Sequence, residues 1–128
     1  MEITVKTKKK RDVVDITDLI NSIISKESFA RLVNLFVVHT TAALMTADLD
    51  PGGTDQDYLD AFEKMVPNLE YRHPHDPEHM PDHILSSLIG TSLTLPVKDG
   101  ALVLGSWQRV VLVELDGPRE RRIIVSSF

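Results

Sequence analysis

The stretch Leu32-Val33-Asn34-Leu35-Phe36-Val37-Val38-His39-Thr40-Thr41 changes character at a single residue. Up to Val38 it is almost continuously apolar and rich in β-branched side chains. That pattern predicts a strand buried on both faces. His39 then follows, with the hydroxyls of Thr40 and Thr41 beside it. A titratable group at the end of a core strand is either held by a partner or used as a ligand or proton carrier.

On the N-terminal side, residues 2–7 alternate, with Ile3 and Val5 on one face, and residues 13–16 read as a second short strand. Thr17 can cap a helix whose apolar face is Leu19, Ile20, Ile23 and Ile24. Between the two strands runs KTKKKR, residues 6–11. It reads as a solvated edge or hairpin tip, where lysines discourage aggregation, or else as a phosphate-binding patch.

On the C-terminal side, Pro51-Gly52-Gly53 breaks the chain. Thr54 then opens a helix with Asp55 and Asp57 in its first turn and Tyr58, Leu59, Phe62, Met65 and Val66 at helical spacing. Residues 67–81 form a loop with four of the seven prolines and three of the five histidines. A short helix follows, with Pro81 in its first turn and Gly90 past its end. The last third predicts strands over 92–97, 101–104, 109–115 and 121–125. Lys98-Asp99-Gly100 marks a hairpin, and Asp116-Gly117-Pro118 a turn.

Strands at both ends with helices between them specify one α+β domain over residues 1–128. Its sheet is mostly antiparallel or mixed, with about seven strands and about three helices. The chain has 128 residues, 42% of them hydrophobic, enough for one core without staples. Cysteine is absent, which excludes disulfides, thiolate metal sites and a cysteine nucleophile. The net charge of −5 argues against nucleic acid as a partner. No signal peptide or membrane-length apolar run is present, so the expectation is a cytoplasmic protein with no membrane partner.

The candidate chemistry lies in the middle of the chain. On a helical wheel His83 falls opposite the face formed by Ile84, Leu85, Leu88 and Ile89, in a first turn whose free N–H groups can bind an anion. Arg72 beside His73 suits a phosphate. His79 and His83 stand four apart, but Pro77 and Pro81 argue against one helix across them. The His79–His83 pair is therefore set aside. His39, His73 and His83, if they converge, are a donor set typical of a catalytic zinc. Asp48, Asp50, Asp55 and Asp57 around the Pro-Gly-Gly break can hold magnesium for a phosphorylated substrate, or serve as turn and cap residues. Trp107 reads as core more readily than as a ligand platform. Arg119 is either a surface charge or an anion contact.

Seven segments in order resemble one family. They are His39-Thr40-Thr41-Ala42-Ala43-Leu44, Asp50-Pro51, Tyr71-Arg72-His73, Pro81-Asp82-His83-Ile84, the run from Leu88 to Pro96, Leu104-Gly105-Ser106-Trp107-Gln108, and Glu114 through Arg119. Together they resemble the YjbQ-like family, whose members are called secondary thiamine-phosphate synthase enzymes. The resemblance implies a compact α+β fold, a homotrimer, and a polar pocket around His39, His73 and His83 that holds a metal or an anion. Ala47-Asp48 replaces an Asn-Glu pair common in the family, and Ser106 replaces a threonine.

Three functions follow. The first joins a pyrimidine pyrophosphate to a thiazole phosphate. Thr40, Thr41, Arg72 and Arg119 then contact anions, His39 and His83 carry protons, and Asp48 or Asp50 holds magnesium. The second is a zinc-dependent hydrolase of a small phosphorylated or acyl compound, with the metal on His39, His73 and His83 and a water oriented by Asp48. The third is a non-catalytic binder of a small anionic metabolite.

Overall fold

The structure is a computed structural model and describes residues 1–27 and 29–128. Its elements in chain order are β1 (Glu2–Lys6), β2 (Asp12–Asp15), α1 (Thr17–Ile24), β3 (Leu32–Val37), β4 (Ala42–Asp48), α2 (Thr54–Met65), α3 (Met80–Ile89), β5 (Ser92–Lys98), β6 (Ala101–Leu102), β7 (Gln108–Glu114) and β8 (Glu120–Ser127). A single 3-10 turn, Pro77–His79, leads into α3. Among the described residues two sheets form, ordered β1-β8-β3-β5-β6 and β2-β7-β4, and every pairing is antiparallel. The α+β class is as expected, with eight strands among the described residues rather than about seven.

The additional strand is β4. Ala42-Ala43-Leu44-Met45-Thr46-Ala47 has almost no β-branched residue and no alternation, so the sequence gives no strand signal there. Tertiary pairing with the whole length of β7 makes it one. β3, in turn, is not buried on both faces. Val33, Leu35 and Val37 point inward, whereas Leu32 and Phe36 are exposed. The strand covered on both sides is β7. Val110 and Leu112 pack with α1 and the inner face of the five-stranded sheet. Val111, Val113 and Leu115 pack with Leu59 of α2 and Leu85 of α3. The described residues thus form three layers, large sheet, small sheet and the helices α2 and α3, with α1 packed into the core on the large-sheet side of β7.

Local chemistry sets the element ends. Asp15, not Thr17, accepts the first free N–H of α1, from Thr17 at 3.0 Å. Ile20 and Ile24 of that helix are fully buried, each contributing about 1.5–3 kcal/mol. The β5–β6 hairpin turns through Asp99 (φ 52°) and Gly100 (φ 77°), the left-handed pair of a two-residue turn. The basic run is not simply solvated, since Lys10 and Arg11 fold back onto Asp82 of α3. No helix among the described residues is long and apolar enough to cross a membrane.

Candidate functional site

His39 lies two residues past the end of β3 and uses its ring as a backbone partner. Its Nε2 accepts the N–H of Arg122 on β8, at 2.9 Å. An N–H can only donate, so the lone pair of the neutral ring is at Nε2 and its proton at Nδ1. Burial lowers the pKa of His39, and the charges of Arg121, Arg122 and Arg119 lower it further against an opposing contribution from Glu114. The ring is therefore held neutral and offers its surroundings an N–H.

His83 has the opposite tautomer. Its Nδ1 lies 3.1 Å from the carbonyl of Thr40, which can only accept. In the neutral ring the proton is then at Nδ1, and among the described residues Nε2 makes no hydrogen bond. A carbonyl that fixes Nδ1–H while Nε2 keeps a free lone pair is how a proton-accepting histidine is oriented. His73 stacks on this ring, with centroids 5.2 Å apart and planes 14° from parallel. Its own Nδ1 accepts the N–H groups of Asp76 (3.2 Å) and His75 (3.4 Å).

The polar cleft around His39 and His83 encloses about 450 Å³, and Thr40, Thr41, His79, Asp116, Arg119 and Arg121 also line it. His39 and His83 form the wall shared with a more apolar cleft of about 590 Å³ bordered by Phe36, Ser87 and Thr91. α3 is seated beside β4 by Ser86, whose Oγ donates to the Ala42 carbonyl at 2.6 Å. Its buried face is Asp82, Leu85 and Ser86, while Leu88, expected inside, is exposed.

Beneath the cleft, Arg121 and Glu114 form a fully buried ion pair. Arg121 Nε lies 3.0 Å from Glu114 Oε1, and Nη2 lies 2.5 Å from Oε2. The same Nη2 donates to Thr41 Oγ1 at 2.9 Å and to the Thr41 carbonyl at 3.0 Å. Glu114 also accepts the N–H groups of Leu115 and Asp116 and the hydroxyl of Thr7. Burial alone would raise its pKa, but the hydrogen bonds from Arg121, Thr7 and Asp116, together with the Arg121 charge, hold it below the usual carboxylate value. The pair fixes Thr41, and through the chain Thr40, the residue that orients His83.

The structure also tests whether a metal fits. The nitrogens of His39, His73 and His83 do not come together closely enough to share an ion. A neutral imidazole has one lone pair, and those of His39 and His73 are engaged by backbone N–H groups. His83 Nε2 is the free donor of the three, so this arrangement does not fit a three-histidine zinc centre. His79, Asp82 and Asp116 do converge within 4.8 Å. That group already holds a cation: Lys10 Nζ lies 3.0 Å from Asp82 and 2.8 Å from Asp116, and Arg11 lies 2.6 Å from Asp82.

His39, Thr40, Thr41, His83 and Arg119 line one cleft, and His73 joins through its stack on His83. Asp48 does not. It ends β4 opposite Gln108, whereas Ala42, at the cleft end, pairs with Glu114. Six residues of strand put it roughly 20 Å away. Arg72 is exposed and does not line the cleft. His79, set aside on the sequence, does line it. The two prolines sit in the first turns of successive 3-10 and α-helical segments, where a missing N–H costs nothing, so a helical turn crosses His79 after all. Trp107, expected in the core, is 67% exposed.

Among known families, the whole chain, residues 1–128, matches the one described as UPF0047 protein YjbQ-like. The chain belongs to this family. A UPF0047 protein of Archaeoglobus fulgidus is 39% identical over 129 residues, covering all of both chains. UPF0047 protein YjbQ of Salmonella typhimurium is 38% identical over 83% of this chain and 79% of its own. A YjbQ/UPF0047 protein from Clostridium acetobutylicum, described as uncharacterized, has a solved structure. It superimposes with a TM-score of 0.90 at 30% identity, over 100% of this chain and 99% of that one. A YbjQ-like protein of unknown function from Sulfolobus solfataricus gives 0.89 at 33%, over 99% and 94%. Membership in the UPF0047 family thus agrees with the fold seen here and carries no named activity with it.

Proposed function

We infer that the histidine cleft is the active site of an enzyme acting on a small phosphorylated compound. The observation that carries this reading is the opposed tautomers of His39 and His83. One ring offers an N–H and the other a bare lone pair, both on one cleft that also holds Arg119. A phosphate oxygen is met by the Arg119 guanidinium, the Thr40 hydroxyl and the His39 N–H. His83 Nε2 takes a proton from the reacting group and returns it, while the Thr40 carbonyl stabilises the charge that appears on the ring. Arg119 is pre-oriented for its part, since its Nε donates to the Asp116 carbonyl at 2.7 Å and its Nη2 to the Asp116 carboxylate at 3.0 Å.

The reaction to try first is the one the family resemblance implies. The bond from the pyrimidine methylene to the diphosphate oxygen breaks and pyrophosphate leaves while His83 takes a proton from the pyrimidine amino group; the methylene then bonds to the thiazole nitrogen and His83 returns the proton. The exposed Arg119 guanidinium suits that leaving group, and any magnesium would enter with the diphosphate rather than on Asp48. In oligomers such as the homotrimer implied for the family, each chain would bring its own His39 and His83.

Pyrophosphate release from untagged protein, with and without added magnesium, tests the reading. His83→Gln should abolish turnover. Arg119→Ala should raise KM more than it lowers kcat, because it removes binding common to ground and transition states. Full turnover in His83→Gln would refute the role of Nε2. One zinc per chain by elemental analysis, lost in His39→Ala, would replace this reading with the hydrolase. Phosphate binding with no turnover of any phosphorylated substrate would leave a binding module.

A further inference from the structure

A second cleft lies at the other end of the β4–β7 ladder and uses none of the residues of the histidine cleft. It encloses about 360 Å³ between the end of β4, Tyr58 of α2 and the turn before β7. Trp107, the chain's one tryptophan, stands on that turn and is 67% exposed. The turn beneath it is pinned twice: the Gln108 N–H donates to the Gly105 carbonyl, and the Gly105 N–H to Gln108 Oε1, each at 3.1 Å. The indole is thus displayed on a fixed support.

The polar groups around it are ordered and not used up. Gln108 Nε2 donates to Thr46 Oγ1 at 3.1 Å, which leaves the Thr46 hydroxyl proton free to donate. Tyr58 accepts the Asp48 N–H at 3.1 Å, which leaves its own phenol proton free. Asp48 Oδ1 accepts the Asp50 N–H at 3.0 Å, and Oδ2 has no partner among the described residues. Asp48 is the one charged residue lining the cleft.

We propose that this cleft binds a planar aromatic ring carrying a cationic or amino nitrogen, with the ring against Trp107 and the nitrogen on Asp48. Both features select the same ligand. The face of an indole attracts cations, and stacking favours flat rings. A carboxylate in the same cleft repels anions, the opposite preference from the Arg119 side of the molecule. Thr46 and Tyr58 supply hydroxyl donors for a ring nitrogen with a lone pair. Such a ring would sit roughly 20 Å from His83, given the length of β4.

The test follows the indole N–H resonance of Trp107 by NMR during titration with 4-aminopyridine, a flat cation at neutral pH. Nicotinate, equally flat but anionic, is the control. Saturable shifts of Trp107 with 4-aminopyridine, at least roughly tenfold weaker with nicotinate, are expected. Asp48→Asn should weaken 4-aminopyridine roughly two- to fivefold. It keeps the Oδ1 that accepts from Asp50, so its amide spectrum should otherwise match. Trp107→Leu, on an exposed turn, should remove binding measured by calorimetry. Equal response to both probes, no saturation, or unchanged affinity in Asp48→Asn would overturn the proposal. So would a Trp107 emission already blue-shifted and shielded from acrylamide in the free protein, since a second copy would then fill the cleft.

Discussion

Replacing Arg121 by methionine should destabilise this protein more than any exposed charge change, and by an amount that depends on pH. The substitution keeps most of the apolar stem and removes the guanidinium. Glu114 is then left fully buried, with Thr7 and two backbone N–H groups but no positive charge. Breaking a buried pair in this way costs about 3–5 kcal/mol. Urea unfolding at pH 7 reads it directly. With a urea dependence of about 2 kcal/mol per molar, the midpoint should fall by roughly 2 M. The pH dependence has a defined sign. In the native protein Glu114 titrates below its unfolded value of 4.5, so its pair contributes stability above that value and loses it as pH falls through the folded one. In the variant, burial without Arg121 raises the Glu114 pKa, so its folded form loses stability as pH climbs through that raised value. The gap between the two proteins should therefore widen from pH 4 to pH 7. Thr41 also loses both bonds from Nη2, so the seat of Thr40 and His83 loosens along with the core. A midpoint shift below about 0.5 M, or a gap independent of pH, would show that the pair does not hold the fold as argued.

Two further outcomes follow from the same geometry. Gly117→Ala should cost about 1–3 kcal/mol of thermal stability, because a Cβ there would run into the Lys9 carbonyl and lie 2.7 Å from Glu114 Cγ, with backbone on one side unable to yield. Among the histidine ring resonances, that of His39 should titrate below the ordinary 6.5, with burial as the main cause, and should move up in Arg121→Met. Because that pKa is depressed, the stability it contributes is present above 6.5 and lost as pH falls through the folded value, where the bond from the Arg122 N–H breaks.

Much of the histidine cleft was legible because its residues flank strong signals. His39 ends an apolar run, His83 opens a helix between Pro81 and Gly90, and Arg119 follows a Gly-Pro turn. Glu114 and Arg121 were not legible as a pair. Nothing in the sequence says that the end of β7 and the start of β8 turn their charges inward onto each other, and a carboxylate or guanidinium on a strand end is ordinarily solvated. Lys10 and Arg11 misled for the same reason, since a basic run gives no sign of the buried Asp82 that anchors it. The pairing of His79 with His83 was discounted on the neighbouring prolines, although proline at the start of a helical turn is compatible with helix.

The sequence by itself determined the elements with local causes: the α+β class, the Asp99-Gly100 hairpin, the three helices and the strands of the last third, where periodicity and turn chemistry act over a few residues. It also carried the family. Tertiary structure alone decided that Ala42–Asp48 is a strand, because only pairing with β7 overrides its alanine-rich composition. That strand then set the functional geography. Its start holds Thr40 and the histidines and its end holds Asp48, so a carboxylate that the sequence placed among the histidines stands roughly 20 Å away, beside Trp107.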